Sequence, residues 1–235
     1  IQASTRGITV AGELLPFRVR PWSVLMTINS DAGVLWFKAS CEAMAFEPAL
    51  QQALSQIAPG SVDAPIAIDA ERAWMLTLEH ARPLGETERT ELPDWLNTIT
   101  EVTSLQQKLM LHRETLLATG MPDCAPDTVL NRFERLVVLL GDLPTEHPSH
   151  LDPSDRAALA GAREGLEAAV ETLQAGPLGS SWQHGDVHGG NVYRADGQLR
   201  IFDFGDSQWA HVLEALVVPY SIVTEEQPGS WLQIQ

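Results

Sequence analysis

Apolar positions change their period once along the chain. Up to about residue 90 they fall in short β-rich runs. Residues 22–28 and 34–38 are two such runs, parted by a turn signal at Asn29-Ser30-Asp31-Ala32-Gly33. Residues 65–69 and 73–79 form a second pair, flanking Ala70-Glu71-Arg72. Between the pairs Ala49, Leu50, Ala53, Leu54 and Ile57 repeat at helical spacing, with Pro48 suited to the first turn and Pro59-Gly60 to the stop. From residue 93 the period is helical. Leu96, Ile99, Val102 and Leu109 follow Pro93, and Leu130, Phe133, Leu136, Val137 and Leu140 precede Gly141. A third stripe, Leu159, Ala162, Leu166, Ala169, Val170 and Leu173, occupies residues 154–175 and ends at Gly176-Pro177. Two short strands close the pattern, 191–194 and 199–203, joined through the strong turn pair Asp196-Gly197.

This order predicts an α+β chain of two lobes with a cleft between them. The expected division is a small antiparallel-sheet lobe with one helix over residues 1–80, a linker over 81–92, and a mainly helical lobe over 93–235.

Composition narrows the partners. The net charge of −16 argues against nucleic acid, which needs a basic footprint. The charge is uneven: residues 1–92 carry 11 acidic and 7 basic side chains, and residues 93–235 carry 20 and 8. A cleft in the second part would concentrate a cationic small molecule and repel polyanions. Cys41 and Cys124 form no CxxC spacing, so a reducing cytoplasm is the expected compartment. No run is long and apolar enough for a membrane span, and the first twenty residues do not read as a signal peptide. The start at Ile1 implies a few missing leading residues.

The chemistry concentrates between Gln183 and Ser207. Asp186 lies in a loop, Asn191 begins a strand five residues on, and the next strand ends in Asp203 before Phe204-Gly205. In a hairpin of this kind Asn191 and Asp203 share the open end, where one Mg²⁺ could take an oxygen from each. Asp186, beside that pair, suits the carboxylate that orients an attacking hydroxyl in phosphoryl transfer. A zinc-type reading of His184 and His188 fails, because Gly185, Gly189 and Gly190 oppose the helix it needs and no Glu stands between the histidines. Both histidines are expected to hold the loop by hydrogen bonds. Lys38 ends an apolar strand on the face of Val34 and Trp36, and it is one of only two lysines in the chain. A compact ammonium there suits a contact to nucleotide phosphates.

His184-Gly185-Asp186-Val187-His188-Gly189-Gly190-Asn191 together with Ile201-Phe202-Asp203-Phe204-Gly205 resembles the aminoglycoside phosphotransferase family, within the protein-kinase-like superfamily. The resemblance spans roughly residues 10–220 and is sharp over 183–207 and at Lys38. It implies a bilobal protein-kinase-like fold and an ATP- and Mg²⁺-dependent kinase acting on a small-molecule hydroxyl. Asp186 would be the base, and Asn191 and Asp203 the Mg²⁺ ligands. Lys38 would hold the phosphates, positioned by Glu47, whose register ahead of Leu50 suits the family better than Glu42 does. The lobe connection at His80 and Ala81 would present backbone groups to adenine. No glycine lies between Leu15 and Val24, where protein kinases place a glycine-rich covering loop, so Ser23 or its backbone N–H is the expected phosphate contact there. Trp95, Trp182 and Trp209 are expected in packing rather than as stacking platforms. Family members carry more helices after the Asp-Phe-Gly segment than this chain does, which implies an incomplete C-terminal lobe. The acceptor is left open among aminoglycosides, amino sugars, choline, amino acids and macrolides, with the acidic second lobe favouring a cationic one. A regulatory pseudokinase is the alternative from another class, and it would require the loss of one of Lys38, Asp186, Asn191 or Asp203, all of which are present.

Overall fold

A computed structural model describes residues 7–85 and 90–226. The predicted linker 81–92 therefore falls partly outside the described residues. The N-terminal part is one antiparallel sheet of five strands: β1 (Val10–Val19), β2 (Ser23–Ser30), β3 (Gly33–Ser40), β4 (Ala67–Asp69) and β5 (Trp74–Leu78), in the order β1-β2-β3-β5-β4. The β2–β3 turn is tighter than the sequence suggests, because Ser30 pairs with Gly33 and leaves only Asp31-Ala32 between the strands. β1 is a continuous strand through Pro16, tolerated because it is an edge. The stretch expected to act as a covering loop is thus mostly strand, turning only at residues 20–22.

Helix α1 (Glu47–Ile57) carries Pro48 in its first turn and buries Leu50 and Leu54. These side chains do not join the small sheet cluster of Leu35, Ile66 and Leu76. They pack in the main core with Val102, Leu105, Leu109, Trp182, Phe204 and Trp209, so the helix of the first lobe is seated in the core of the second. In α2 (Leu92–Leu109) the buried stripe runs through Trp95, Thr98, Val102, Leu105 and Leu109. Leu96, expected in that stripe, is exposed: turning Trp95 inward buries far more apolar surface. A short helix, α3 (Arg113–Leu117), buries Leu116. Helices α4 (Pro126–Gly141) and α5 (Pro153–Ala175) pack on each other, and α5 opens with a capping box in which Asp152 accepts from Ser154 N (2.7 Å) and Asp155 N (2.9 Å). Among the described residues no helix is long and apolar enough to cross a membrane.

What positions the segment from His184 to Ser207 is a strand pair that alternation does not reveal. β6 (Ser180–Gln183) pairs antiparallel with β9 (Gln208–His211), with Gln183 opposite Gln208. Everything between is an excursion whose two ends are pinned together. It contains the hairpin of β7 (Val192–Ala195) and β8 (Gln198–Ile201), turned by Asp196 and Gly197, both at positive φ. Buried Gln106 on α2 donates to Gln183 Oε1 (2.7 Å) and to the Val212 carbonyl (3.0 Å), and Ser181 Oγ donates to the Gln106 carbonyl (2.7 Å). Helix α6 (Val217–Glu226), the last among the described residues, follows β9 through a short 3-10 turn.

The loop begins at His184, which is fully buried. Its Nδ1 accepts from Asp186 N (3.3 Å), so the proton sits on Nε2, which donates to the Phe202 carbonyl (2.9 Å). Only the neutral ring satisfies both bonds. Burial accordingly holds the His184 pKa below its ordinary 6.5. Gly185 follows at φ 82, and a Cβ there would collide with the Asp206 carbonyl oxygen, so glycine is required on both counts.

Two outcomes follow from this packing. Leu54→Ala, at a fully buried position shared by both parts, should cost about 2–5 kcal/mol in urea denaturation, whereas Leu136→Ala on the exposed side of α4 should stay within about 0.5 kcal/mol. Because the folded pKa of His184 is depressed, its contribution to stability is complete above pH 6.5, the unfolded value, and is lost progressively as pH falls below it. Melting temperatures measured from pH 7.5 to 5.5 should therefore fall less steeply for His184→Gln than for the wild type; parallel curves would show that His184 does not carry this dependence.

Candidate active site

Lys38 leaves β3 into the cleft, where its Nζ lies 2.6 Å from Glu47 Oε1 and 2.6 Å from Asp203 Oδ1. Glu47 comes from the first residue of α1 and Asp203 from the end of the β7–β8 hairpin, so one ammonium joins three elements. Glu47 is 1% exposed and is met by two further donors, Ser40 Oγ (2.8 Å to Oε2) and Phe204 N (3.2 Å to Oε1). Burial pushes the Glu47 carboxyl up, against the pull of Lys38. Burial also works against the Lys38 ammonium, yet the two carboxylates outweigh it and hold its pKa above the ordinary value. For Asp203 burial is again the largest influence, but Lys38 prevails and keeps this carboxyl low.

Asp203 adopts φ 66, a left-handed conformation that only a few per cent of non-glycine residues show. Phe204, fully buried against Trp182 and His184 (ring centroids 6.1 and 5.5 Å), anchors the chain just beyond it. Trp95, Trp182 and Trp209 are all buried in packing, as their number in the chain suggests.

On the other side of the hairpin mouth, Asn191 Nδ2 donates to the Asp186 carbonyl (2.9 Å) and to Asp186 Oδ2 (3.2 Å). The amide nitrogen is thereby committed to the loop, and the Asn191 oxygen is turned the opposite way. His188 Nδ1 accepts from Gly190 N (2.9 Å), which places the ring proton on Nε2, 3.4 Å from Asp186 Oδ2. That contact, first, and the Asn191 amide hold the Asp186 carboxyl below its ordinary value. Asp186 is therefore an oriented, ionised carboxylate. His188 does hold the loop, and the Asp186 carboxylate is part of what it holds.

The donor set at the hairpin mouth fits a hard cation. It consists of the amide oxygen of Asn191 and the carboxylate of Asp203, whose side chain is 39% exposed; among the described residues neither the Asn191 oxygen nor Asp203 Oδ2 accepts a side-chain hydrogen bond. Two oxygens leave room for phosphate and water ligands, as Mg²⁺ prefers. Among the described residues no group of three or more His, Cys, Asp or Glu side chains is arranged around a common metal position.

The remaining expected positions lie near this centre. Ser23 opens β2 opposite Ser40 and is buried. His80 follows β5, with its ring over Phe202 (4.0 Å) and Tyr193 (5.0 Å), so the lobe connection rests on the hairpin that carries Asn191 and Asp203. Gly85 N donates to the Gly189 carbonyl and Leu84 N to the Val192 carbonyl, each at 2.9 Å. Sequence reasoning missed Asp63. In the loop after α1 it accepts from both Tyr193 Oη and Arg200 Nη1, and the neighbouring Ser61 carbonyl accepts from Ile201 N (2.9 Å). Nothing in a lone Asp-Ala-Pro stretch signals a partner more than a hundred residues away.

Comparisons with known proteins bear on the fold and the family. Curated protein sequences give no match. Solved structures do: the macrolide 2'-phosphotransferase MphH from Brachybacterium faecium shares the fold at TM-score 0.58 and 17% identity, covering 99% of this chain and 77% of that one. A type I macrolide 2'-phosphotransferase gives TM-score 0.61 at 13% identity, covering 99% and 78%. The streptomycin–ATP complex of APH(2")-IIa gives 0.52 at 13%, covering 87% and 69%. At these identities the likeness shows a common kinase-like architecture. Residues 53–235 match the phosphotransferase enzyme family, and a match over most of the chain's length places this protein in that family of small-molecule phosphotransferases.

Proposed function

We propose that the chain transfers the γ-phosphoryl group of ATP to a hydroxyl of a cationic small molecule, an aminoglycoside or amino sugar. The observation that carries the reading is the assembly of Lys38, Glu47, Asp186, Asn191 and Asp203 around one cleft from four separate parts of the sequence. Lys38, held by Glu47, binds the nucleotide phosphates, while Ser23 and the chain at His80 lie where a covering strand and an adenine-facing connection belong. Asn191 and Asp203 hold Mg²⁺, which when bound neutralises the phosphate oxygens. Asp186 accepts a hydrogen bond from the acceptor hydroxyl. A carboxylate held this low is too weak a base to deprotonate an alcohol beforehand, so its work is to orient the oxygen and take its proton as the new bond forms. The acceptor oxygen bonds to the γ-phosphorus, the bond from that phosphorus to the β–γ bridging oxygen breaks, and ADP leaves with that electron pair.

The cationic acceptor is supported by the excess of acidic side chains in residues 93–235 and by Asp206, whose carboxyl stands near Asp186 and Asp203. Structures of this fold carry streptomycin with ATP in one case and act on macrolides in others. A pseudokinase is disfavoured because each residue that it would have to lose is present.

A phosphorylation screen over aminoglycosides, amino sugars, choline, amino acids and macrolides tests the acceptor; turnover of choline, macrolides or amino acids in preference to aminoglycosides and amino sugars would refute the acceptor assignment. On the best acceptor Asp186→Asn should lower kcat at least about 10²-fold with little change in the KM for ATP. A near wild-type rate would sink the assigned mechanism. By calorimetry, Asp203→Ala should abolish the Mg²⁺-dependent part of ATP binding, and an unimpaired response to Mg²⁺ would remove Asp203 from the metal set.

A further inference from the structure

Lys38 does not stand alone on its face of the sheet. Residues directly opposite one another in an antiparallel pair project to the same side. Arg18 on β1 pairs with Leu25 on β2, and Leu25 pairs with Lys38 on β3, so Arg18 leaves the sheet on the Lys38 side. A register shift between Pro16 and Arg18 makes this possible. Phe17 is the extra residue of that bulge, and its ring meets Trp36 edge-on at 4.6 Å. Trp36 shares the Lys38 face two residues earlier, which fixes the side to which the bulge turns. Arg18 is exposed, and among the described residues it makes no hydrogen bond or ion pair. Its charge nevertheless reaches Asp203, where it adds to the influences holding that carboxyl low.

The surroundings call for such a cation. The cleft sets Glu47, Asp186, Asp203 and Asp206 against Lys38, and Lys38 is already shared between two carboxylates. A nucleotide triphosphate brings further negative charge, and no glycine between Leu15 and Val24 lets backbone N–H groups close over it.

We propose that Arg18 is a nucleotide-binding residue that grips the terminal phosphates, doing with a guanidinium what a glycine-rich loop does with backbone amides. The proposal rests on the ATP-dependent reading above. A guanidinium fits the task because its planar donors pair with two phosphate oxygens at once and its charge never titrates. Its place on a strand, one residue from the bulge, aims it more firmly than a mobile loop would.

The test is calorimetric titration of ATP and of adenosine, with Mg²⁺, into the wild type, Arg18→Ala and Arg18→Lys, together with steady-state kinetics. Arg18→Ala should lose about ten- to a hundredfold in ATP affinity, leave adenosine binding and the acceptor KM unchanged, and raise the KM for ATP in step. Arg18→Lys should recover part of the loss. Unchanged ATP affinity in Arg18→Ala overturns the inference alone. An equal fall for ATP and adenosine also overturns it, because that pattern reports damage to the strand rather than loss of a phosphate contact. A wild type that binds no ATP overturns the functional reading and this inference with it.

Discussion

An ammonium buried between two carboxylates is costly to assemble, and the rest of the molecule is arranged around that cost. Taking Lys38, Glu47 and Asp203 out of water forfeits several kcal/mol per ion, which their attraction recovers only if geometry and additional hydrogen bonds are good. Both conditions hold at Glu47, where Lys38 Nζ, Ser40 Oγ and Phe204 N all converge. Phe204 N is decisive, because it belongs to the residue after Asp203. The same backbone that presents one carboxylate to Lys38 donates to the other. Movement of the hairpin away from α1 would therefore break two bonds to Glu47 and Lys38 at once and leave a buried carboxylate short of donors. The cluster acts as a gauge of lobe placement as well as the proposed phosphate site.

That gauge is useful only if the hairpin is held from its other sides. The β6–β9 pair fixes the two ends of the excursion, and Gln106 fixes that pair to α2. Asp63 and Ser61 draw the hairpin toward the loop after α1, and His80, Leu84 and Gly85 seat the lobe connection along it. With Leu50 and Leu54 already inside the main core, the cleft-forming surfaces share one packing unit. Such a shared core favours rigid placement of Asp186, Asn191 and Asp203, and phosphoryl transfer depends on positioning above all.

How far the sequence could be read tracks how local each feature is. His184 to Asn191, and Asp203 to Gly205, lie within one contiguous stretch, so their chemistry and mutual placement could be argued from spacing. Lys38 and Glu47 are separated by nine residues across one strand end and one helix start, again a short path. The β6–β9 ladder was illegible for opposite reasons. Its strands are four residues each, lie 24 residues apart, and bury Ser181 and Gln183 rather than an apolar alternation. Leu96 was misread because period alone cannot say which of two adjacent apolar residues, Trp95 or Leu96, turns inward. Arg18 was missed because β1 was not foreseen: residues 16–23 were expected as a covering loop, and nothing in Pro16-Phe17-Arg18 announces either the strand or the register shift that turns Arg18 to the Lys38 face.

The distribution of charge gives the cleft its final constraint. With 15 basic against 31 acidic side chains, the chain has little cation to spare, yet the nucleotide of its proposed function is a polyanion. In the observed arrangement Asp203 is paired with Lys38 through one oxygen, and among the described residues its other oxygen accepts no hydrogen bond. On the proposed function the two exchange partners when nucleotide enters: Lys38 keeps Glu47 and turns from Asp203 to phosphate, and Asp203 turns to the metal. Neither charge is left unpaired at either end of the exchange, because Glu47 never lets go. On that reading the glutamate, the most deeply buried of the three, is the fixed partner, and the partial exposure of Asp203 leaves it open to the metal.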